Sequence, residues 1–232
     1  MNILLTNDDG YNAPGISLLF NKLQKYGHVV IVAPFYQQSA KSTSKTLGKT
    51  ILVHQIEKDV YAVEGTPADC TAFGLTSLSI KFDLVVSGCN NGWNISYDTI
   101  YSGTIGAGLE ALVNKTPASC FSSEHGFDIV EQYFDQVMEF ILSKNIISNE
   151  YLLNVNFPLG TVKDIRFGKL YYRNDTNFFI KENGEYYPSR TTENDVKDVD
   201  TDCYQVNHHI ISIVPINKTF FDQKIYDYLI NK

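Results

Sequence analysis

The chain of 232 residues is 44% hydrophobic and 19% charged, a composition that excludes a disordered protein and indicates a globular one. Its formal net charge of −7 argues against a surface that binds DNA, because contact with the phosphate backbone requires clustered Lys and Arg. The sequence contains no apolar run of membrane-spanning length, and because Met1-Asn2 leads directly into a predicted strand we expect no signal peptide. We therefore expect a cytoplasmic protein without membrane contact.

The chain begins with a buried strand that ends in acidic residues. Ile3-Leu4-Leu5 predicts a strand covered on both faces, as at the centre of a parallel sheet. Asn7, Asp8, Asp9 and Gly10 follow, at the strand edge where open α/β sheets bind ligands. Two adjacent ionised carboxylates repel each other, which favours a cation beside them. An Asx turn that caps the next helix explains the same residues.

The next two elements predict the fold class. An apolar stripe at helical spacing predicts a helix and consists of Ile16, Leu19, Phe20 and Leu23. Val29-Val30-Ile31-Val32 predicts a second buried strand. A strand, a short helix and a strand form a βαβ unit, so we expect an α/β protein with a doubly wound, mostly parallel, Rossmann-like sheet.

A loop rich in hydroxyl groups and lysines follows, from Phe35 to Thr50. Ser39 lies near its start, and Lys41, Lys45 and Lys49 are spaced along it. Hydroxyl and ammonium groups beside a sheet edge suit a phosphate group, but an ordinary polar surface loop has the same composition. Both interpretations remain open for this loop.

The middle of the chain returns to the same sheet edge. Thr66 and Pro67 predict a capped helix start, and Asp83 to Gly88 predicts a buried strand. The amide-rich loop after that strand should lie beside Asp8. Ser102-Gly103-Thr104 then opens a helix, and such a start is either an anion site or an ordinary cap.

Further elements continue the α/β pattern. They are a strand at 118–121, an amphipathic helix at 127–142 and a strand at 152–157. The four cysteines are isolated from one another, which predicts buried reduced thiols: Cys70, Cys89, Cys120 and Cys203.

From about Tyr171 the sequence becomes rich in aromatic residues around Asn183-Gly184, a dipeptide typical of two-residue hairpin turns. His209 to Pro215 predicts a strand, and Phe220 to Leu229 predicts a short closing helix. We expect a single domain over residues 1–232, with a core of about 1–170. The remainder, about 171–232, is expected to be an oligomerisation arm with the closing helix.

Five sequence blocks occur in a set order along the chain. They are Asn7-Asp8-Asp9-Gly10, Ala33-Pro34 with Ser39, Gly65-Thr66-Pro67-Ala68-Asp69-Cys70, Ser87-Gly88 with Asn90, Gly92 and Asn94, and Tyr101-Ser102-Gly103-Thr104. Together they resemble the SurE (survival protein E) nucleotidase family, and the similarity extends to Ile210–Pro215. The resemblance implies a metal-dependent hydrolase of nucleoside monophosphates that forms a homodimer or homotetramer through a C-terminal arm.

The resemblance also implies roles for individual residues. It makes Asp8, Asp9, Ser39 and Asn90 the ligands of one divalent cation per subunit, with Asp8, Asp9 and Asn90 catalytic. The residues implied to line the phosphate are Asn7, Asn94, Ser102, Gly103 and Thr104. Because all four ligands are oxygen donors, magnesium or manganese is favoured over zinc. Departures from the family pattern at Lys41, Asn91 and Trp93 bear on substrate preference; Trp93 either stacks on a base or packs in the interior.

Three other protein functions are alternatives to this interpretation. A haloacid-dehalogenase-type phosphatase requires Asp-x-Asp, which Asp8-Asp9-Gly10 does not supply. A response-regulator receiver requires an Asp after a middle strand, whereas Asp83 lies at the start of its strand. A non-catalytic nucleotide-binding sensor on the same fold remains the alternative to a 5'-nucleotidase acting on phosphoric monoesters.

Overall fold

The computed structural model describes residues 1–192, 195–219 and 223–230. Its strands are β1 (Asn2–Thr6), β2 (His28–Pro34), β3 (Val53–Glu57), β4 (Val60–Val63), β5 (Leu84–Asn91), β6 (Ala118–Ser123), β7 (Tyr151–Phe157), β8 (Asp164–Phe167), β9 (Thr176–Glu182), β10 (Glu185–Thr191) and β11 (Ile210–Asn217). Its α-helices are α1 (Pro14–Leu23), α2 (Pro67–Ser77), α3 (Asp98–Tyr101), α4 (Gly103–Val113), α5 (Asp128–Ser143), α6 (Asp202–Asn207) and α7 (Gln223–Ile230).

A nine-stranded sheet forms the centre of the protein, in the order β3-β4-β2-β1-β5-β6-β7-β11-β8. From β4 across to β7 every neighbouring pair is parallel. The antiparallel pairs in this sheet are β3 with β4 and β7 with β11. The predicted α/β class with a doubly wound, mostly parallel sheet is confirmed.

Both faces of the sheet are covered, which explains the continuous apolar run of β1. Ile3 and Leu5 point into a core layer that α1 and α5 complete. Leu4, on the opposite face, belongs to the layer completed by α2 and α4. Successive side chains of a strand alternate between the two faces, so only an unbroken aliphatic strand can sit at this position.

The short elements that were not predicted include α3, with four residues, β8 and α6. Strand β8 has four residues, lies at the sheet edge and alternates half-buried Ile165 with exposed Asp164 and Arg166. Helix α6 has six residues and is capped by Thr201, whose hydroxyl accepts a hydrogen bond from the backbone N–H of Tyr204. Elements of this length carry little periodicity, so neighbouring structure decides whether they form.

The C-terminal part differs from its prediction in one respect. The hairpin of β9 and β10 forms as expected, with Asn183 and Gly184 at positive φ in the turn, and it makes a separate two-stranded sheet. Strand β11, however, is not part of an arm: it lies between β7 and β8 in the main sheet, where its Ile211 and Ile213 are buried. The predicted closing helix corresponds to α7, although its expected start at Phe220 lies outside the described residues.

Two compositional expectations can be compared with the structure. All four cysteines are buried and free, as predicted. Within the described ranges, no helix combines the length and the apolar character that a membrane crossing requires.

Candidate active site

The topology brings three loops to one point of the sheet. Strand β1 lies between β2 and β5, and the chain runs from β1 to one side of the sheet before returning to the other side at β5. This is the topological switch point of a doubly wound sheet, where a crevice opens at the carboxyl ends of the strands. The loops after β1 and β2 carry Asp8 and Ser39, and Asn90 lies at the end of β5, so the fold brings the segments of the predicted ligands to this crevice.

Asp8 is almost fully enclosed at the base of this crevice. It is 5% exposed, and its Oδ1 accepts a hydrogen bond of 2.6 Å from the Thr104 hydroxyl. Burial raises the pKa of Asp8 to about 6; the Thr104 hydroxyl opposes that rise, and the charge of Asp9 adds to it. The ionised form of Asp8 is therefore less stable at this position than it would be in water.

Asp9 is half-buried and faces the other two loops. Its Oδ1 accepts a hydrogen bond of 3.3 Å from the Gln37 side chain, which precedes Ser39. Burial raises the pKa of Asp9, while the Gln37 side chain and the Asn91 backbone N–H lower it. Asp9 thus contacts both the segment that carries Ser39 and the segment that carries Asn90.

The loop that carries Ser39 is attached to Asp8 and to the body of the protein. The backbone N–H of Gln38 donates to the backbone carbonyl of Asp8 at 2.7 Å, which joins the segment next to exposed Ser39 to the loop of Asp8. Further along, the Thr46 amide and hydroxyl donate to Asp69 at 3.0 and 2.7 Å. Lys45 forms an ion pair of 2.8 Å with Glu110 of α4. These two side chains of the loop fasten it in place.

Asp69 has a second structural role. It completes a capping box with Thr66 at the start of α2, which confirms the predicted cap. Burial by itself would raise the pKa of Asp69, but the hydrogen bonds from Thr66 and Thr46 hold it below its ordinary value. One ionised carboxylate therefore joins the helix start to the loop of Ser39.

The amide-rich loop after β5 is held by residues that the sequence analysis did not identify. The backbone N–H of Asn94 donates to Asn156 Oδ1 at 2.8 Å. The backbone carbonyl of Asn94 accepts from the side chains of Asn154 and Asn156. The Asn94 side chain donates to Ser122 Oγ at 2.8 Å. Asn154 and Asn156 are two residues apart in the buried strand β7, so their side chains lie on the same face of it. Such a polar i, i+2 pair is the sequence signal that marks them.

The other amides of the site have local partners. Asn90 is half-buried and donates through Nδ2 to the Gly92 carbonyl at 2.8 Å, a bond that does not use its Oδ1. Asn7 is fully buried, and its side chain makes two hydrogen bonds with the backbone of Gly10. Asn7 therefore shapes the turn that holds Asp8 and Asp9, and its contact with a phosphate stays a prediction.

The start of α4 contacts Asp8 directly. Ser102 caps the helix by accepting a hydrogen bond from the Ile105 amide, and Thr104 donates to Asp8. A Cβ atom at Gly103 would lie 2.8 Å from the Asp8 Cβ and 3.1 Å from the Pro67 Cγ. Only glycine allows this close approach of the helix backbone to the carboxylate.

Trp93 is half-buried and packs against the body of the protein. Its indole N–H donates to the Phe157 carbonyl at 2.6 Å, and its ring lies against a small core cluster that contains Ile95 and Val206. The packing interpretation of Trp93 therefore fits the structure better than stacking on a base.

The donors present fit a hard divalent cation. Neither Asp8 nor Asp9 has a Lys, Arg or His partner among the described residues, so no positively charged side chain offsets the burial of the two carboxylates or the effect of the Asp9 charge on Asp8. Within the same residues, no three His, Cys, Asp or Glu side chains form a metal-binding cluster. A cation at this point would thus rely on neutral oxygen donors, of the kind that Ser39 and Asn90 supply.

Comparison with known proteins agrees with this geometry. The sequence profile of the family described as Survival protein SurE matches residues 3–177. The chain belongs to the SurE family. A protein named 5'-nucleotidase SurE from Clostridium beijerinckii is 35% identical, over 96% of this chain and 95% of its own length. One from a type A strain of Clostridium botulinum is 34% identical, over 94% and 93%.

The fold agrees as well as the sequence. The crystal structure of the SurE protein from Aquifex aeolicus matches with a TM-score of 0.86 and 30% identity, covering 99% of this chain and 98% of that one. The response-regulator alternative does not fit the structure of this SurE family member. Asp83 Oδ2 accepts a hydrogen bond from the backbone N–H of Asn2 at the start of β1, whereas Asp8 follows the end of that strand.

Proposed function

We propose that this SurE family member is a divalent-metal-dependent phosphomonoesterase, a 5'-nucleotidase that converts nucleoside monophosphates to nucleoside and phosphate. The observation that carries the proposal is the carboxylate pair Asp8 and Asp9 at the switch point, which has no positively charged partner among the described residues and of which Asp8 contacts the first turn of α4. Relatives named 5'-nucleotidase SurE at 30–35% identity support it.

In this proposal Asp8, Asp9, Ser39 and Asn90 hold one magnesium or manganese ion. The ion supplies positive charge that polarises phosphoryl oxygens and lowers the pKa of water. Asp8 and Asp9 provide the negative charge that attracts it, and the segments that carry Ser39 and Asn90 are already fixed beside them through Gln38 and Asn91.

The first turn of α4 would bind the phosphate group. The positive end of a helix dipole stabilises negative charge, and the missing side chain of Gly103 brings that helix end to Asp8. The Thr104 hydroxyl holds Asp8 in one orientation, and Ser102 fixes the helix start. Charge that develops on the phosphoryl oxygens would be met by groups that are already oriented.

We infer that water attacks phosphorus directly and that Asp8 does not form a phosphoenzyme. Asp8 is 5% exposed and its Oδ1 is held by Thr104, which restricts its approach to phosphorus. Gly10 occupies the position where Asp-x-Asp enzymes carry a second acid. A substrate that is chiral at phosphorus should show inversion; net retention, or phosphate trapped on Asp8, would contradict direct attack.

The activity is tested with nucleoside mono- and triphosphates in the presence of magnesium or manganese. We expect monophosphates to be hydrolysed faster, and we expect excess chelator to reduce turnover to the background rate, because Asp8 and Asp9 then lack their cation. Release of inorganic phosphate is the measurement. Undiminished hydrolysis in excess chelator would refute metal dependence, and nucleotide binding without turnover would identify the alternative, a sensor.

We further propose that the hairpin of β9 and β10 contributes to a homodimer or homotetramer. Its strands are solvent-exposed apart from half-buried Ser189, including Phe179 at 69% and Tyr186 at 63%. A two-stranded hairpin cannot bury such side chains alone. Light scattering at micromolar concentration should give at least twice the monomer mass, and Phe179→Ser should shift it towards monomer. A monomeric wild type would contradict the proposal.

A further inference from the structure

A groove of about 830 Å³ lies between α3 and the hairpin. Tyr97 and Tyr101 form its wall on the side of the sheet domain, and Asn177, Pro188 and Ser189 form part of its wall on the hairpin. This volume is within the range of small-molecule sites in proteins. The groove is distinct from the crevice that contains Asp8 and Asp9, because neither carboxylate lines it.

The groove begins close to the proposed phosphate site. Tyr101 is the last residue of α3, and Ser102 follows it as the cap of α4. Two peptide units separate Tyr101 from Gly103, so their Cα atoms are at most about 7 Å apart. Gly103 in turn packs against the Asp8 Cβ. Tyr101 is therefore a groove residue within two positions of the helix start that is proposed to bind phosphate.

The charged groups of the groove are paired with one another. Arg190 contacts Asp98 through Nη1 at 2.6 Å and Nη2 at 3.3 Å, and Arg173 reaches the same carboxylate at 3.0 Å. Arg173 Nε also lies 3.0 Å from Asp175 Oδ2. Two guanidinium groups and two carboxylates cancel in formal charge, so the groove has no positive excess that would favour a second phosphate.

These ion pairs also hold the hairpin wall in place. Arg190 is on β10, whereas Asp98 is the first residue of α3, so the contact joins the hairpin to the body of the protein. Arg173 is 9% exposed and lies between the two, with its backbone amide bonded to the Ser96 hydroxyl. The two walls of the groove are therefore held together by these contacts.

The remaining groups of the groove suit a planar, uncharged ligand with hydrogen-bonding edges. The Tyr97 ring already packs against the Tyr172 ring, tilted by 42° with 5.0 Å between the centroids. Tyr101 has no ring partner among the described residues, and its side chain is 55% exposed. An exposed tyrosine ring that lines the same groove as Asn177 and Ser189 provides stacking, and the side-chain amide and hydroxyl groups of those two residues provide hydrogen bonding.

We propose that this groove binds the nucleoside part of the substrate, with the base against Tyr101 and the hairpin side contributing Asn177. The proposal rests on the proposed function and deepens it, because it assigns recognition of the base and sugar to residues outside the phosphate site. It also gives the hairpin a part in substrate binding in addition to assembly.

Adenosine, which carries no phosphate, tests the groove separately from turnover. Its dissociation constant is measured by ligand-observed NMR titration for wild type, Tyr101→Ala and Asn177→Ala. We expect Tyr101→Ala to weaken binding about tenfold, since that is the usual loss when a stacking ring is removed. Asn177→Ala, on the opposite wall, should weaken it severalfold and does not alter α3.

A matched control uses another exposed tyrosine of the hairpin. The Tyr186 ring lies against Lys181 and does not line the groove, so Tyr186→Ala should leave adenosine binding within about twofold. Equal dissociation constants for wild type, Tyr101→Ala and Asn177→Ala, or no saturable binding by wild type, would overturn the proposal. Tyr101-dependent adenosine binding without nucleotide hydrolysis would instead reject the phosphomonoesterase activity alone.

Discussion

Asp8→Asn is expected to lower nucleotide hydrolysis by about a thousandfold or more, since loss of a cation ligand removes several kcal/mol of charge stabilisation. Asparagine keeps the shape of the side chain and an oxygen that accepts from the Thr104 hydroxyl. The loss should therefore arise from the missing charge, with the helix start still in place. Initial rates of phosphate release over a range of magnesium or manganese concentrations provide the measurement.

The same variant should be at least as stable as wild type without cation. Burial raises the folded-state pKa of Asp8 from 3.8 to about 6, so ionised Asp8 destabilises the fold. This loss of stability begins as the pH rises through 3.8 and is complete above about 6. Asparagine removes it at neutral pH, and we expect a melting temperature a few degrees higher in chelator.

Asp128→Asn is the matched control for this substitution. Asp128 is an exposed residue in the first turn of α5, and its neutralisation should change turnover by less than about twofold. If Asp8→Asn keeps most of its activity at a modest cation concentration, Asp8 is not a ligand.

Gly103→Ala is expected to lower activity about a hundredfold, the usual effect of displacing catalytic groups by about 1 Å. The new Cβ would lie 2.8 Å from the Asp8 Cβ, 3.0 Å from Asp8 Oδ2 and 3.1 Å from the Pro67 Cγ. The start of α4 must then move away from Asp8, which lengthens the hydrogen bond from Thr104. Steady-state rates with a nucleoside monophosphate measure the effect.

Helix propensity acts in the opposite direction to this expected loss. Alanine favours a helix over glycine by about 1 kcal/mol, so reduced activity of Gly103→Ala cannot be attributed to a weaker α4. Val113→Ala, at a 68% exposed position of the same helix, serves as the control and should keep wild-type rates. Unchanged activity of Gly103→Ala would show that contact between α4 and Asp8 is not required.

The central part of the fold could be predicted because burial leaves a continuous signal in the sequence. Ile3, Leu4 and Leu5 are all apolar, and the structure buries them on two opposite faces. The position of β11 could not be predicted in the same way. Its apolar pattern indicates a strand, but which strands lie beside it depends on contacts with residues 151–156, far away in sequence.

The site shows a similar division. Asp8 and Asp9 could be located from the end of β1, because the carboxyl edge of a parallel sheet is a general ligand site. The partners that hold the site come from distant segments: Thr104 is 96 residues from Asp8, and Asp69 is 23 residues from Thr46. Such pairs follow from the tertiary fold, and no local spacing in the sequence reports them.

The insertion of β11 between β7 and β8 has a consequence for synthesis of the chain. Strand β8 pairs only with β11 among the described strands, so it has no neighbour until residues 210–217 have left the ribosome. Until then β7 presents an unpaired edge, of the kind that promotes association between chains. A nascent chain can assemble the strands around Asp8 early, but the other half of its sheet stays open until β11 has emerged.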